Sequence, residues 1–257
     1  MTPESTGNDP LEGVFRNLVS GYLKAVESDV RFAFHPVVSD STEGVTGFEA
    51  LVRGEDSVTA DSINRQVSPE NRFAFDQACR ILAIRAAGQF EIEGNLHLNC
   101  TQVSAQNAEL VSTVTGKIAR QNGFESNRIV LELSNLEEMQ NFEDLGQIRK
   151  IFKQAGFQVL FDNFGRHDSD PDRLEHLAPD WVKFDRALIE NIQDRTGAQE
   201  TVRKYLDICR KQHIQPMAAG IERGEELKWL RDEGVVNFQG YYFSPPEMDQ
   251  EQVFRPN

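Results

Sequence analysis

The feature of this sequence that most restricts its fold is a repeated alternation of short apolar runs with longer helical patterns. Six runs of strand length follow one another in the last two thirds of the chain, at 95–100, 128–133, 157–162, 181–185, 214–219 and 235–239. Helical patterns lie between them, and several end at a glycine (Gly123, Gly156 and Gly234), as helices commonly do. Such alternation indicates parallel strands connected by helices, which is an α/β fold.

Two further strand candidates precede this series, at 31–38 and 45–53, and only the turn-rich stretch SDSTEG separates them. Two strands joined so closely form an antiparallel hairpin. With the hairpin the sequence has eight strand candidates in 257 residues, which favours a closed barrel over an open sheet. The expected fold is therefore α/β: a single-domain TIM-like (β/α)8 barrel variant with an antiparallel opening strand.

No linker or internal repeat divides the chain, so residues 11–257 are expected to form one barrel domain that begins with a helix over Leu11–Val26. The polar residues 1–10 lack the features of a signal peptide, and we interpret them as a disordered lead. No apolar run approaches the roughly 20 residues of a membrane-spanning helix. Cys79, Cys100 and Cys209 lie far apart in the sequence and are expected to be free thiols of a cytoplasmic protein.

The charge of the chain argues against one class of function. The sequence has 27 Lys and Arg residues against 41 Asp and Glu residues, a net charge of −14. Binding to long nucleic acids depends on neutralising many phosphates, so we do not expect a DNA-binding protein. A small anionic ligand held by a few local cations or by a metal ion remains compatible with this charge.

Polar side chains stand near the carboxyl ends of the strand candidates, where active sites lie in barrels of this kind. These residues are Glu49, Asn99, Glu132, Asp162, Lys183 and Gln239. Carboxylate and amide oxygens are the ligands that Mg²⁺ prefers, and a lysine can steady a nucleophilic water or a developing phosphate charge. An acid at a strand end, taken singly, is more often a helix cap or an ion-pair partner. Four oxygen ligands placed together favour a metal site, but the spacing alone leaves both interpretations open.

Seven segments, in order, resemble the motifs of the EAL domain family of cyclic di-GMP phosphodiesterases. They are GFEALVR at 47–53, HLNC at 97–100, LELSN at 131–135, FDNFG at 161–165, VKFD at 182–185, AAGIE at 218–222 and FQGYYFSP at 238–245. The resemblance covers roughly residues 11–250. It implies a variant TIM barrel and a two-metal site that opens cyclic di-GMP to linear pGpG with Mg²⁺ or Mn²⁺.

The resemblance also assigns roles by position. The implied metal ligands are Glu49, Asn99, Glu132 and Asp162. The implied catalytic residues, near the attacked phosphate and its water, are Lys183 and Gln239. The implied ligand-binding residues are Arg53, which would hold a phosphate, Asp76, which would contact a guanine edge, Glu222 and Pro245.

Four positions depart from the family pattern. Asn163 replaces the second aspartate of Asp-Asp-Phe-Gly, Ala219 the first glutamate of Ala-Glu-Gly-Val-Glu, Asn135 the last glutamate of Glu-Leu-Thr-Glu, and His35 the glutamine before a proline. Two metal ions about 4 Å apart need several nearby negative charges. We therefore predict one weak Mg²⁺ or Mn²⁺ site or none.

These departures predict a degenerate, catalytically inactive EAL domain that acts as a cyclic di-GMP receptor, as a docking module for an unidentified protein partner, or as both. The alternative is an active but slow Mg²⁺- or Mn²⁺-dependent phosphodiesterase. Position 219 distinguishes these two interpretations. If the carboxylate of Glu222 takes the place of the one that is missing at Ala219, turnover survives. The sequence leaves open whether the domain forms a homodimer.

Overall fold

The computed structural model describes residues 30–54, 67–134, 136, 141–166 and 170–247. The strands of this part form a closed barrel in which eight strands follow one another in chain order. The lead predicted for residues 1–10, the helix predicted over Leu11–Val26, and Asn135 all lie outside the described residues.

The first strand of the barrel runs against both of its neighbours. It is antiparallel to the second strand and to the last, and all other neighbouring strands are parallel. This confirms the predicted barrel with an antiparallel opening strand. The strands are β1 Arg31–Ser39, β2 Gly44–Arg53, β3 Asn95–Asn99, β4 Ile129–Leu133, β5 Gln158–Phe164, β6 Trp181–Phe184, β7 Gln215–Ala218 and β8 Asn237–Phe238.

The α-helices of the described residues occupy the connections between the strands. They are α1 Arg72–Gln89, α2 Ala108–Gln121, α3 Phe142–Gln154, α4 Pro171–Leu177, α5 Arg186–Ile189, α6 Thr196–Gln212 and α7 Gly224–Asp232. The three glycines predicted to end helices do so with φ of +82° to +90°, a conformation that favours glycine.

The bounds of α1 differ from what its local sequence suggests. Ser68 and Pro69 are typical of a helix start, but they open a short 3-10 turn, and the α-helix begins at Arg72. The helix runs past Gly88 and ends at Gln89. Gly88 is needed for close packing instead, because a Cβ there would lie 2.9 Å from the Cβ and carbonyl oxygen of Asn122.

Two parts of the apolar core position the site. The larger lies between the strands and the surrounding helices. The smaller is a separate buried cluster of Val37, Val130, Leu160, Trp181 and Met217. Since side chains two residues apart on a strand face the same side, the next inward residues after three members of this cluster are Glu132, Asp162 and Lys183. These side chains belong to a polar layer that lies next to the smaller apolar cluster, towards the carboxyl ends of the parallel strands.

Two further features of the described residues concern membrane helices and cysteines. No helix there is both long and apolar enough to cross a membrane. Cys79, Cys100 and Cys209 are buried free thiols, as predicted. Burial raises the pKa of each thiol to about 12, so these groups stay protonated at neutral pH.

Candidate functional site at the barrel mouth

The ammonium group of Lys183 lies at the centre of the polar layer. Its Nζ atom is 2.7 Å from Oε2 of Glu132, 3.2 Å from Oε2 of Glu49 and 3.5 Å from Oδ1 of Asp162. Gln239 donates from Nε2 to Oε2 of Glu49 at 3.0 Å. The structure thus brings together five of the residues that the sequence selected, from β2, β4, β5, β6 and the residue after β8.

The carboxylates of this layer differ in their affinity for protons. Burial alone would raise the pKa of Glu49, but the charge of Lys183 and hydrogen bonds from Gln239 and Lys183 lower that pKa to about 2. Burial and the charge of Glu49 raise the pKa of Glu132 to about 8, and burial raises the pKa of Asp162 to about 6, although Lys183 opposes both shifts. Glu49 is therefore the ionised partner of Lys183 at neutral pH, and Glu132 retains its proton.

His97 supports this layer from below. Its Nδ1 atom lies 2.9 Å from Oε1 of Glu132, and both side chains are almost fully buried. Burial, followed by the charge of Lys183, lowers the pKa of His97 to about 3, so the ring is neutral. The sequence predicts that His97 lies on a strand but not that it contacts Glu132. The alternation along β3 carries a weak signal, because His97 and Asn99 face the same side.

Asn163 occupies an irregular position on β5. The β5–β6 register shifts between Phe161 and Phe164, and Asn163 has a left-handed φ of +57°. Asparagine tolerates this conformation better than most residues. Its Nδ2 atom donates to Oδ2 of Asp162 at 3.2 Å. At this position the chain therefore presents a hydrogen-bond donor to the remaining carboxylate rather than a second negative charge.

The other departures do not restore the missing charge. Ala219 follows β7, and its N–H donates to the carbonyl oxygen of Phe184 at 3.1 Å. Its methyl group cannot ligate a metal ion. Glu222, the predicted substitute, forms an ion pair with Arg186 at 2.9 Å, so its carboxylate is already engaged.

The carboxylates of the layer surround an ammonium group rather than an open metal position. Within the described ranges, no group of three His, Cys, Asp or Glu side chains is arranged to hold a metal ion. The donor types present, with Asn99 beside Glu49 at 3.4 Å, suit one hard divalent cation in place of the ammonium. Asn163 and Ala219 carry no charge, so they do not help to hold a second cation.

A cavity of about 640 Å³ opens above this layer. Its lining includes Glu49, Asn99, Asp162 and Asn163, together with Asp76, Arg72, Arg80 and Arg166. This volume is within the range of about 300–1,000 Å³ that is typical of small-molecule sites. Neither Arg72 nor Arg166 is among the site residues predicted from the sequence.

Three of the predicted ligand-binding residues do not line the cavity: Arg53, Glu222 and Pro245. Arg53 directly follows Val52, which does line it, and donates from Nη1 to the carbonyl oxygen of Val52 at 2.9 Å. Pro245 is exposed in the segment after β8.

Asp76 lies on the cavity wall, but its carboxylate already has several partners. Oδ1 accepts from the N–H of Thr101 at 3.0 Å and from its hydroxyl at 2.8 Å. Oδ2 accepts from Arg80 at 2.8 Å and from Gln77 at 3.3 Å. Arg80 also donates to the carbonyl oxygen of Asn99 at 2.6 Å. Asp76 and Arg80 thus fasten α1 to the mouth end of β3.

His35 lies within β1, opposite Glu49 in the register of the hairpin. Its ring is buried, and its Nε2 atom has no hydrogen-bond partner within the described residues. Burial is the largest influence on this ring and lowers its pKa. The substitution therefore puts a neutral imidazole beside the acidic layer, outside the cavity lining.

The chain matches known proteins over most of its length. The family model of the EAL domain matches residues 22–246. The blue light- and temperature-regulated antirepressor BluF of Escherichia coli K12 is 27% identical over 241 residues, which is 93% of this chain and 59% of BluF. The chain therefore spans less than two thirds of that relative.

Two solved structures share the fold. A standalone EAL protein from Vibrio cholerae O395, solved with cyclic di-GMP bound, has 31% identity and a TM-score of 0.80, over 86% of this chain and 93% of that one. A manganese and cyclic di-GMP complex of Klebsiella pneumoniae BlrP1 has 25% identity and a TM-score of 0.77, over 85% of this chain and 56% of that one.

Proposed function

The chain belongs to the EAL domain family, and we propose that it is a catalytically inactive member that binds cyclic di-GMP as a receptor. Docking of a protein partner is a second part of this proposal. It is supported by the similarity to BluF, a protein described as an antirepressor. As a receptor for a soluble nucleotide, the protein would act in the cytoplasm.

The observation that carries the proposal is that the acids at the barrel mouth collect around one ammonium group, while Asn163 and Ala219 carry no charge. Two divalent cations about 4 Å apart repel each other by on the order of 15 kcal/mol at an effective dielectric constant near 20. Carboxylates must offset this repulsion. With two acids replaced, a pair of metal ions is not held closely enough for an in-line displacement.

The loss of such groups has a known scale. Removing one group that stabilises a transition state commonly costs about 10²- to 10³-fold in rate. The effects of groups that act as a unit do not simply add, so the combined loss is not the product of the two. Turnover below detection is the expected state of this site.

Ligand binding is separable from turnover, because it needs a cavity and complementary charge but no aligned nucleophile. The cavity is present, and the V. cholerae and K. pneumoniae relatives contain cyclic di-GMP in their structures. One Mg²⁺ or Mn²⁺ ion would be held by Glu49, Asn99, Glu132 and Asp162, and it would supply positive charge to a ligand phosphate. The ligand-binding roles of Arg53, Glu222 and Pro245 rest on family position alone.

Two measurements on the purified protein test this proposal. Incubation with cyclic di-GMP and Mn²⁺ or Mg²⁺, followed by chromatography, is expected to give no pGpG. Multiple turnovers would establish the slow phosphodiesterase instead, an alternative that the retained contacts among Lys183, Glu49 and Gln239 favour. Calorimetric titration with cyclic di-GMP is expected to show saturable binding, and absence of binding would leave only the docking role.

A further inference from the structure

Two arginines line the cavity with no side-chain partner in the described part of the chain. Arg72 is the first residue of α1, and Arg166 follows the turn at the end of β5. Both are exposed. Among the residues that the structure describes, neither guanidinium group has a hydrogen bond or an ion pair.

The other charged groups of the cavity wall have charged partners within the protein. Arg80 is paired with Asp76 at 2.8 Å, and Lys183 beneath the floor contacts Glu49 at 3.2 Å and Asp162 at 3.5 Å. Among the described residues, the positive charge without a partner at this cavity therefore lies on Arg72 and Arg166, at its rim. This is unexpected in a chain with a net charge of −14, in which acidic partners are plentiful.

The place of Arg72 on its helix adds an independent reason to expect an anion. The first turn of a helix carries partial positive charge, so a cation there is unfavourable unless an anion is near. The N–H of Arg72 is already used, because it donates to the carbonyl oxygen of Pro69. The anion-binding group that α1 contributes to the cavity is therefore the guanidinium group of Arg72.

Arg166 is held in place by a tight turn. Its N–H donates to the carbonyl oxygen of Asn163 at 3.2 Å, and Asn163 and Gly165 both have left-handed φ, +57° and +87°. A Cβ at Gly165 would lie 2.5 Å from Cδ2 of Leu188, so the turn is packed closely against the neighbouring segment. A residue presented by a fixed turn loses less conformational freedom when it binds a ligand.

We propose that Arg72 and Arg166 form a phosphate-binding pair at the rim of the cavity. Guanidinium groups present forked N–H donors that match phosphate oxygens in pairs. The choice of a cyclic dinucleotide as the ligand rests on the proposed function, whereas the pair itself rests on the place of both arginines in the lining of one cavity. Because the protein supplies this charge, binding through the pair does not require a divalent cation.

The test is calorimetric titration of cyclic di-GMP in the presence of EDTA, with the full chain. Arg72→Ala and Arg166→Ala are each expected to weaken binding by about tenfold or more, since a charge-assisted hydrogen bond is worth about 1.5–3 kcal/mol. Arg166→Lys, which keeps the charge but not the fork, should lose less. The matched control is Arg85→Ala, because Arg85 is exposed on the same helix and does not line the cavity.

The outcomes separate this pair from the proposed function. If the wild type binds and both cavity variants bind as Arg85→Ala does, the pair is wrong and the receptor function stands. If the wild type does not bind cyclic di-GMP, the receptor function is wrong, and ³¹P line broadening of inorganic pyrophosphate then tests the pair. Broadening that both cavity variants abolish supports the pair, and broadening that is absent or unchanged overturns it.

Discussion

The side-chain amide of Asn163 donates to the carboxylate of Asp162 at 3.2 Å, at the point where the β5–β6 register shifts. An aspartate at position 163 would place two carboxylates side by side there. The asparagine replaces that repulsion with a hydrogen bond. It also keeps a residue type that accepts the left-handed backbone, so the substitution removes charge while leaving the local fold intact.

Restoring both acids is expected to restore turnover. The double variant Asn163→Asp with Ala219→Glu should produce pGpG from cyclic di-GMP with Mn²⁺ at least about 10²-fold faster than the wild type, because it returns the charge that a second metal ion needs. The control is Ala219→Gln alone, which matches the size of glutamate without its charge. Equal rates for the double variant and this control would refute the electrostatic explanation.

Lys183 is expected to be essential for stability. Lys183→Met removes the cation and leaves Glu49, Glu132 and Asp162 around an apolar side chain, which should cost about 3–5 kcal/mol of unfolding free energy at neutral pH. Urea denaturation measures this. The control is Lys153→Met, because Lys153 forms a partly exposed ion pair with Asp180 at 2.6 Å, and its loss should cost less than about 1 kcal/mol. Similar small losses in both variants would contradict the prediction.

His97 is expected to stabilise the buried Glu132. His97→Leu leaves Oε1 of Glu132 without its partner at 2.9 Å, and an unsatisfied buried polar group costs about 1–3 kcal/mol. Thermal melting measures the loss. His213→Asn is the control, since His213 is exposed at the end of α6 with φ of +58°, which asparagine also accepts. A melting temperature for His97→Leu equal to that of the control would show that the contact contributes nothing.

The stability of the metal-free protein is expected to fall as pH rises from about 6.5 to 8. Burial raises the pKa of Glu132 to about 8, so between its unfolded and folded pKa values the native state binds more protons, and stability decreases with rising pH. Asp162, whose pKa burial raises to about 6, adds to this only below about pH 6. There the buried His97, whose pKa is lowered to about 3, acts oppositely, and Glu49, whose pKa is lowered to about 2, does so below about pH 4.5.

Melting curves in EDTA across this range provide the measurement. Glu132→Gln is the matched variant, because glutamine keeps the shape of the side chain but does not titrate. Its melting temperature should depend less on pH than that of the wild type. An unchanged slope would mean that other groups carry the pH dependence.

Gly165 is expected to resist substitution. Gly165→Ala combines a left-handed φ of +87° with a Cβ that meets Leu188 at 2.5 Å, and it should destabilise the fold by about 1–3 kcal/mol. Gly197→Ala is the control, because Gly197 lies in the first turn of α6 with no atom within 4 Å of an added Cβ. That change should be neutral or stabilising, and a comparable loss in both variants would contradict the prediction.

The barrel could be predicted from the sequence because each strand is a short apolar run bounded by turn residues or by a helical pattern. Local patterns of this kind do not depend on distant residues. The length of β8 could not. Its apolar run spans 235–239, but only Asn237 and Phe238 pair with neighbouring strands. The length over which a strand pairs depends on its register with the neighbouring strands. The local sequence of the strand carries no information about that register.

The candidate site divides in the same way. The convergence of Glu49, Glu132 and Lys183 follows from the rule that strand ends meet at one face of a barrel. The contact between His97 and Glu132, and the lack of a partner for Arg72 and Arg166 among the described residues, depend on which side chains meet in three dimensions. Asp76 is an example of a contact that the sequence does not predict. Its family position predicts a contact with the ligand, but its carboxylate oxygens accept hydrogen bonds from Thr101 and Arg80.

The ring of strands closes through β8, which aligns with β1 and with β7 over two residues each, whereas every other neighbouring pair of described strands aligns over at least three. Gln239, which donates to Glu49, directly follows this short strand. Any loosening of the junction between the first and last strands would withdraw that donor from the acidic layer. That hydrogen bond helps to lower the pKa of Glu49. The pairing of β8 with its neighbours and the ionisation of Glu49 are therefore coupled through the backbone that joins Phe238 to Gln239.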